Sequence, residues 1–393
     1  MTWFVNIFKV WWDELCDIVR DEGIMIFIML VPLAYPLLYA FIYTTETQRD
    51  LPVCVIDNCH SARTRELIRK VDATPEVMVH GHVANLAEAQ ELLKRREVSG
   101  IIEIPATFDR DLAHGRQVVV GVYSDLTSML YYKQLLLGVT NVAQDMNRDI
   151  KVNNYLRPGT RREEQVARMP IDFEHVQLYN PQGGFAAFLI PPVMMLILQQ
   201  TLFLGIGMSM GRTRERNRGL VIPPRSDYKH VISVVWGKSL LYFCLYMLLA
   251  AYMCVVVTRW FGLPQLMHAD AFFGLMVPYL LACIFLGFCF SAFVFRREDC
   301  ILLFVFMSVP LLFLTGVSWP GASIPKVWQW LGMLFPSTFG CNAYVRAGTM
   351  GASLGDIRHE VMALWIQAGV YFLLACLMYT WEIRRAVGRS VLN

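Results

Sequence analysis

The densest chemistry in this 393-residue chain is the run RTRERNR, in which Arg212, Arg214, Glu215, Arg216 and Arg218 crowd together between two long apolar stretches. Guanidinium groups at that density suit two jobs: bidentate docking to carboxylates of a separate protein, or holding a short loop on one side of a bilayer. Both readings stand for each arginine. His80 and His82 alternate along EVMVHGHV and share a strand face, but a metal site needs further ligands and none stands near them. A solvated strand edge is the simpler reading. Cys54 and Cys59, in VCVIDNC, are a bridge or two separate thiols, since pairing geometry is not readable from spacing.

Several chemistries are missing. No GxxxxGK followed by Ser or Thr is present, so the chain has no Walker cradle for ATP phosphates. No HExxH or paired carboxylates stand out, and the ten cysteines show no CxxC or Cys/His metal spacing. The net charge of +3 points to no nucleic-acid partner. The expectation is a chain with no catalytic centre, metal or cofactor of its own.

The elements that carry these residues are mostly apolar. Hydrophobic residues make up 55% of the chain and charged ones only 17%, against about 25% charged in soluble domains. Crossing a hydrocarbon core takes roughly 20 helical residues, and six stretches approach or exceed that: 24–43, 185–208, 231–258, 271–295, 301–319 and 360–381. The fold expected is an α-helical polytopic membrane protein of six transmembrane helices, with an α/β domain inserted between helices 1 and 2. The first stretch is too long for a signal peptide and lacks a small-residue cleavage site, so it is read as a retained helix.

The domain plan is residues 1–22 as an interfacial or packing helix, 23–44 as the first crossing, 45–182 as the inserted domain, and 183–393 as helices 2–6. In the last part, 209–230 is a cytoplasmic loop and 320–358 an outer loop. Arginines in that loop, at Arg296–Arg297 and at the C-terminus fall on one side once six crossings are counted, which puts both termini in the cytoplasm and 45–182 outside. Within the inserted segment, PVCVID, EVMVHGHV, GIIEIP and VVVGVYSD read as strands, SARTRELIRKV and ANLAEAQELLKRRE as helices, with a longer helix from Met129 to Asn147.

Inside the apolar stretches ionisable groups are scarce. Lys238 stands near the cytoplasmic end of the third helix, where its side chain can snorkel to water. Gln199, Gln200 and Gln367 are the main large polar groups at membrane depth. Without an acidic relay, an ion-coupled transporter working alone has little support, and the short inner segments leave no room for a kinase or cyclase of a receptor.

In order and spacing, several pieces together resemble the membrane subunit of ABC exporters of type two, over nearly the whole chain. They are an N-terminal helix ending in RDEG, the proline-containing LVPLAYPLLYAFIY, VCVIDNCHSARTREL, GIIEIPATFDRDLAHGRQ, LYNPQG, RERNRG, WGK, and LTGVSWPGASIPKVWQWLGMLFPSTFGCNAYVRAGTMG. The last is the most specific, with Gly316, Pro320, Pro325, Pro336, Arg346 and Gly351 at the family's spacing. The chain is most similar to the subgroup with a large periplasmic domain after the first helix.

The resemblance implies a permease in the bacterial inner membrane, paired as a homodimer or with a paralogue. Each copy would dock an ABC ATP-binding subunit that holds ATP and Mg. A periplasmic adaptor and an outer-membrane channel are further partners it allows. ATPase coupling would fall to Trp11 and Trp12 and to Arg212, Arg214, Glu215, Arg216, Gly219 and Lys238. The chain departs from the family at Leu220 and Ile222, where relatives carry threonine and glutamate. The path would run along helices 2 and 5, past Met194, Met195, Gln199, Gln200, Ser308 and Thr315, each of which is equally readable as helix packing. The cargo expected is hydrophobic or amphipathic, a drug or a lipid. The alternative is a permease and ATPase that transmit force to an envelope partner without moving cargo.

Overall fold

A computed structural model describes residues 2–44, 47–124, 129–155, 178–180, 183–217 and 230–391. The chain divides into two compact units, residues 47–176 and the remainder on either side of them.

The larger unit begins with α1 (Thr2–Val19), whose apolar stripe buries Val10 and Ile18 while Phe8, Trp12 and Val19 stay exposed. Helix α2 (Glu22–Ile42) starts at Asp21, whose side chain accepts the backbone N–H of Ile24 at 3.1 Å. A π-turn at Ile26–Leu30 lies within it.

The α/β unit follows. It contains β1 (Leu51–Asp57), α3 (Ala62–Asp72), β2 (Val77–His82), α4 (Leu86–Lys94), β3 (Gly100–Ile104), α5 (Phe108–Ala113), β4 (Gly121–Ser124) and α6 (Met129–Tyr155). The sheet order is β2-β1-β3-β4, with β1 parallel to β2 and β3, and β4 antiparallel to β3. Side chains alternate across a strand, so Leu51, Val53 and Val55 join Leu67, Val71, Leu135 and Val139 in one core. Cys54 and Ile56 join Ala89, Val98 and Ile101 in the other.

Cys54 lies within β1 and Cys59 just past its end. Cys54 lies in the second core and Cys59 packs against the first, and both are free thiols. The bridge is not made. His80 and His82 share the exposed face of edge strand β2 with Met78. The strand expected from VVVGVYSD is shorter than its β-branched run, because β3 pairs only as far as Glu103 with Gly121, leaving Val118–Val120 without a partner strand among the described residues.

Beyond this unit come α7 (Phe185–Arg216), α8 (Val231–Trp260), α9 (Ala269–Ser291), α10 (Arg297–Leu314), α11 (Lys326–Gly332), α12 (Pro336–Tyr344) and α13 (Arg358–Val391). Among the described residues, five helical segments, α2, α7, α8, α9 and the Arg358–Arg384 part of α13, are long and apolar enough to cross a membrane. The stretch expected at 301–319 differs. Its helix, α10, begins with Arg297, Glu298 and Asp299 and ends at Leu314. The uncharged part, 300–314, gives only about 22 Å of rise, and Gly316 then takes a left-handed φ of +78°. α7 is the most enclosed span, packed by α2, α9, α10 and α12.

Candidate coupling site

The charged residues of the larger unit gather where α1, the end of α7, the start of α8, the Arg296–Arg297 turn and the end of α13 meet. The deepest group is a pair of opposite charges. Glu14 of α1 lies 2.8 Å from Lys238 of α8, and their side chains are only 5% and 3% exposed. Ser209 of α7 and Tyr242 of α8 donate to the same carboxylate oxygen at 2.7 and 2.8 Å. Burial raises the pKa of Glu14, but the Lys238 charge and the hydrogen bonds outweigh it and hold the carboxyl below its ordinary value. One carboxylate therefore ties three helices. Lys238 does not snorkel as expected: Glu14 reaches it on the buried face.

Gly237 explains how α1 comes so close. A Cβ there would lie 2.8 Å from the Val10 side chain and 2.9 Å from the Ile7 carbonyl, so only hydrogen leaves room for the α1 backbone. Gly211 plays the same part for the Arg296–Arg297 turn, whose backbone approaches within 3.1 Å of a Cβ at that position.

Nearer water, a second set runs across the surface of this end. Arg216 pairs with Asp17 at 3.5 Å, Arg212 with Asp21 at 3.3 Å, and Arg212 also donates to the Asp17 carbonyl. Asp21 receives Arg297 at 3.0 Å, and Arg297 returns to Glu215 at 3.1 Å. Arg214 faces inward instead: it meets Glu382 of α13 at 3.3 Å, donates to the Ala292 and Val294 carbonyls, and stands over the Phe295 ring. The short run Arg212–Arg216 thus serves α1, the turn and α13 at once.

Trp11 is half-buried and Trp12 is 58% exposed, with ring centroids 6.1 Å apart. Gly219, with Leu220 and Ile222, lies outside the described residues. Glu14, Asp17, Asp21, Arg297 and Glu382 were not singled out from the sequence as site residues. Glu14 alone left a signal there, a carboxylate at four-residue spacing between Val10 and Ile18 on the apolar stripe of α1.

The ABC-2 family transporter protein model matches residues 23–377, most of the chain and both of its units. The chain belongs to that family. No curated protein matches it. As an ABC-2 permease it is the membrane component of an ABC transporter and not itself catalytic, and the family implies association with an ATP-binding subunit.

The permease places its expected path residues unevenly. Met194, Met195 and Gln199 are fully buried among the chain's own helices. Gln199 accepts the Ser337 backbone N–H at 2.8 Å and donates to its hydroxyl at 3.2 Å, which fastens α7 to the first turn of α12. Gln200 is half-buried, and neither amide atom has a partner among the described residues. Ser308 is half-buried on α10 and donates to Val305, and Thr315 is buried and donates to Leu312.

The family-motif residues shape the connection to α13. Gly316 and Gly351 take left-handed φ values. Pro320 and Pro325 precede a short 3-10 turn and α11, and Pro336 opens α12, where a missing N–H costs nothing. Arg346 pairs with Glu360 at 2.6 Å and donates to the Asp356 carbonyl at 2.8 Å.

Proposed function

We propose that this chain is one half of the permease of an ATP-driven exporter in a bacterial inner membrane. It pairs with a second copy or a paralogue and takes its energy from a separate ABC subunit carrying ATP and Mg. α2, α7, α8, α9, α10 and α13 are its six crossings, α10 completed by the turn that follows it. Both termini and the loop after α7 are cytoplasmic, and residues 45–182 are extracytoplasmic. The positive-inside bias supports this orientation, since Arg212, Arg214, Arg216, Arg296, Arg297 and Arg384 all belong to the ion-paired end of the bundle, which it places in the cytoplasm.

One observation carries the reading. The Glu14–Lys238 and Asp17–Arg216 pairs link α1 to the start of α8 and the end of α7, and Asp21, just after α1, and Glu215 of α7 both pair with Arg297 in the turn before α10. A push on the exposed Trp12 face is passed to the spans through the buried Glu14 bonds and the ion pairs nearer water. ATP moves the permease between two states to the extent that the docked ATPase binds them unequally. The apolar spans, rich in methionine, suit a hydrophobic or amphipathic cargo.

The test is co-purification with a Walker-motif ATPase, followed by reconstitution of the pair into sealed vesicles with a lipophilic dye. ATP-dependent dye movement is expected, and Trp12→Asp with Arg216→Glu, both at exposed positions, should abolish it together with ATPase binding. Stimulated hydrolysis without cargo movement would favour the force-transmitting alternative. Cargo movement under a proton gradient with no ATPase present would overturn the reading.

A further inference from the structure

The α/β unit carries an open groove of about 790 Å³ between α5, the stretch 115–120, β4 and α6. Small-molecule sites occupy about 300–1,000 Å³. Its floor is a part of the unit's own core, with Phe108, Leu112, Val120, Val139 and Met146 lining it. Protein interiors pack at crystal-like density, and a groove left open beside core side chains forfeits the contacts that closure would supply. The lining follows α6 from Leu136 to Ile150, about 21 Å of helix, an elongated form that suits a chain better than a compact ring.

Charge among the described lining residues has one sign. Arg116 is exposed and is the one charged residue among the described lining residues, with no Asp or Glu there. Of the nearby carboxylates, Asp111 lies 3.7 Å from Arg110, and Asp145 and Asp149 lie 3.0 and 3.4 Å from Lys70, while Asp109 of α5 is not among the described lining residues and has one buried oxygen without a hydrogen-bond partner among the described residues. Gln144 and Asn147 of α6 add neutral amide groups to the lining. An apolar floor with one unopposed guanidinium is complementary to a hydrocarbon chain ending in an acid.

We propose that this groove binds an anionic amphiphile with a single hydrocarbon chain, its acidic head on Arg116 and its chain along Phe108, Leu112, Val120, Val139 and Met146. A carboxylate head takes the guanidinium bidentately, and each methylene withdrawn from water adds to affinity. The site belongs to the α/β unit and stands whether or not the chain exports anything. Its test reads binding alone, so its failure is separate from failure of the transport reading.

The full-length protein in nanodiscs of neutral phosphatidylcholine is photolysed with a diazirine-bearing dodecanoic acid, digested and mapped by mass spectrometry. Adducts are expected in peptides covering 105–124 and 136–150, displaced by excess dodecanoate and not by dodecanol. Arg116→Gln, at an exposed position, lowers this labelling about tenfold at subsaturating probe. Thr140→Trp, which fills the groove from its exposed wall, abolishes it while hydrogen exchange across β1–β3 stays at the wild-type level. Adducts confined to the membrane helices would overturn the proposal. So would labelling that excess dodecanoate does not displace, or an Arg116→Gln variant that labels like wild type. Cross-links joining two copies through this face, in place of acyl adducts, would assign the groove to a protein partner and overturn it as well.

Discussion

Glu14 of α1 and Lys238 of α8 meet at 2.8 Å with almost no access to water, although 224 positions separate them in sequence. Removing one partner of such a pair strands a buried charge and costs about 3–5 kcal/mol, whereas replacing both with apolar groups is often neutral. Glu14→Gln and Lys238→Met are each expected to lower the thermal midpoint of the purified protein sharply. The Glu14→Gln/Lys238→Met double variant, which strands no charge and keeps an acceptor for Ser209 and Tyr242, should recover most of that loss. ATPase stimulation distinguishes rigidity from charge: the double variant regains stability, and it regains coupling only if α1 is seated by packing alone. A strictly additive double variant would show that the two charges do not interact.

Gly237 offers a way to unseat α1 without touching a charge. Valine there brings carbon to within 2.9 Å of the Ile7 carbonyl and the Val10 side chain, and overpacking of this kind costs about 1–3 kcal/mol. Gly237→Val is expected to raise hydrogen exchange throughout α1 by about tenfold or more and to lower ATPase coupling with it. Gly369→Ala is the matched control, because nothing lies within 4 Å of a Cβ at that position. Unchanged exchange in α1 would mean that Gly237 is not the point on which the helix closes.

These two cases show what was legible in the sequence and what was not. The spans at Phe185–Arg216 and Val231–Trp260 declare themselves because crossing a hydrocarbon core demands length and apolarity together. The strands of the α/β unit declare themselves through β-branched runs. The coupling end does not, because its bonds are long-range: Asp21 finds Arg297, and Arg214 finds Glu382. A carboxylate within an amphipathic helix looks like a solvated residue until the neighbouring helix supplies a cation. The end of α10 was misjudged for a local reason. Apolarity continues past Leu314, and hydropathy cannot see that the backbone turns at Gly316. Val118–Val120 misled similarly, since strand pairing needs a partner as well as a pattern.

Asp57, at the end of β1, gives a pH-dependent test in the α/β unit. Its side chain is 6% exposed and accepts the backbone N–H groups of Cys59 and His60 at 3.0 and 2.9 Å and the Thr64 hydroxyl at 2.7 Å. Burial pushes its pKa up, but these hydrogen bonds outweigh it and hold the carboxyl below its ordinary value. A depressed folded-state pKa means that the stabilisation is fully present above the unfolded-state value and is lost as pH falls through the folded-state value. Asp57→Ala should cost about 1–3 kcal/mol at neutral pH, by leaving donors unpaired. Peptide-level hydrogen exchange over 51–72, corrected for intrinsic rates, should show the gap between wild type and variant constant from pH 7 to about 5 and narrowing below about 4. A gap that widens on acidification would contradict the assignment.

Gln199 and Gln200 are neighbours on α7 with opposite expected effects. Gln199 satisfies both the N–H and the hydroxyl of Ser337, so Gln199→Leu leaves that buried N–H without its acceptor and should destabilise the protein by about 1–3 kcal/mol. Gln200 has two buried amide atoms with no partner among the described residues, a burden of similar size that an apolar group of like volume removes. Gln200→Met is therefore expected to raise the thermal midpoint. An amide kept unpaired at such a cost serves the cargo if it serves anything, so the same variant should lower ATP-driven dye movement in the reconstituted vesicles. Thermal stability and transport measured on both variants separate the roles. A Gln200→Met protein that is more stable and fully active would remove Gln200 from the path and leave it as a packing residue.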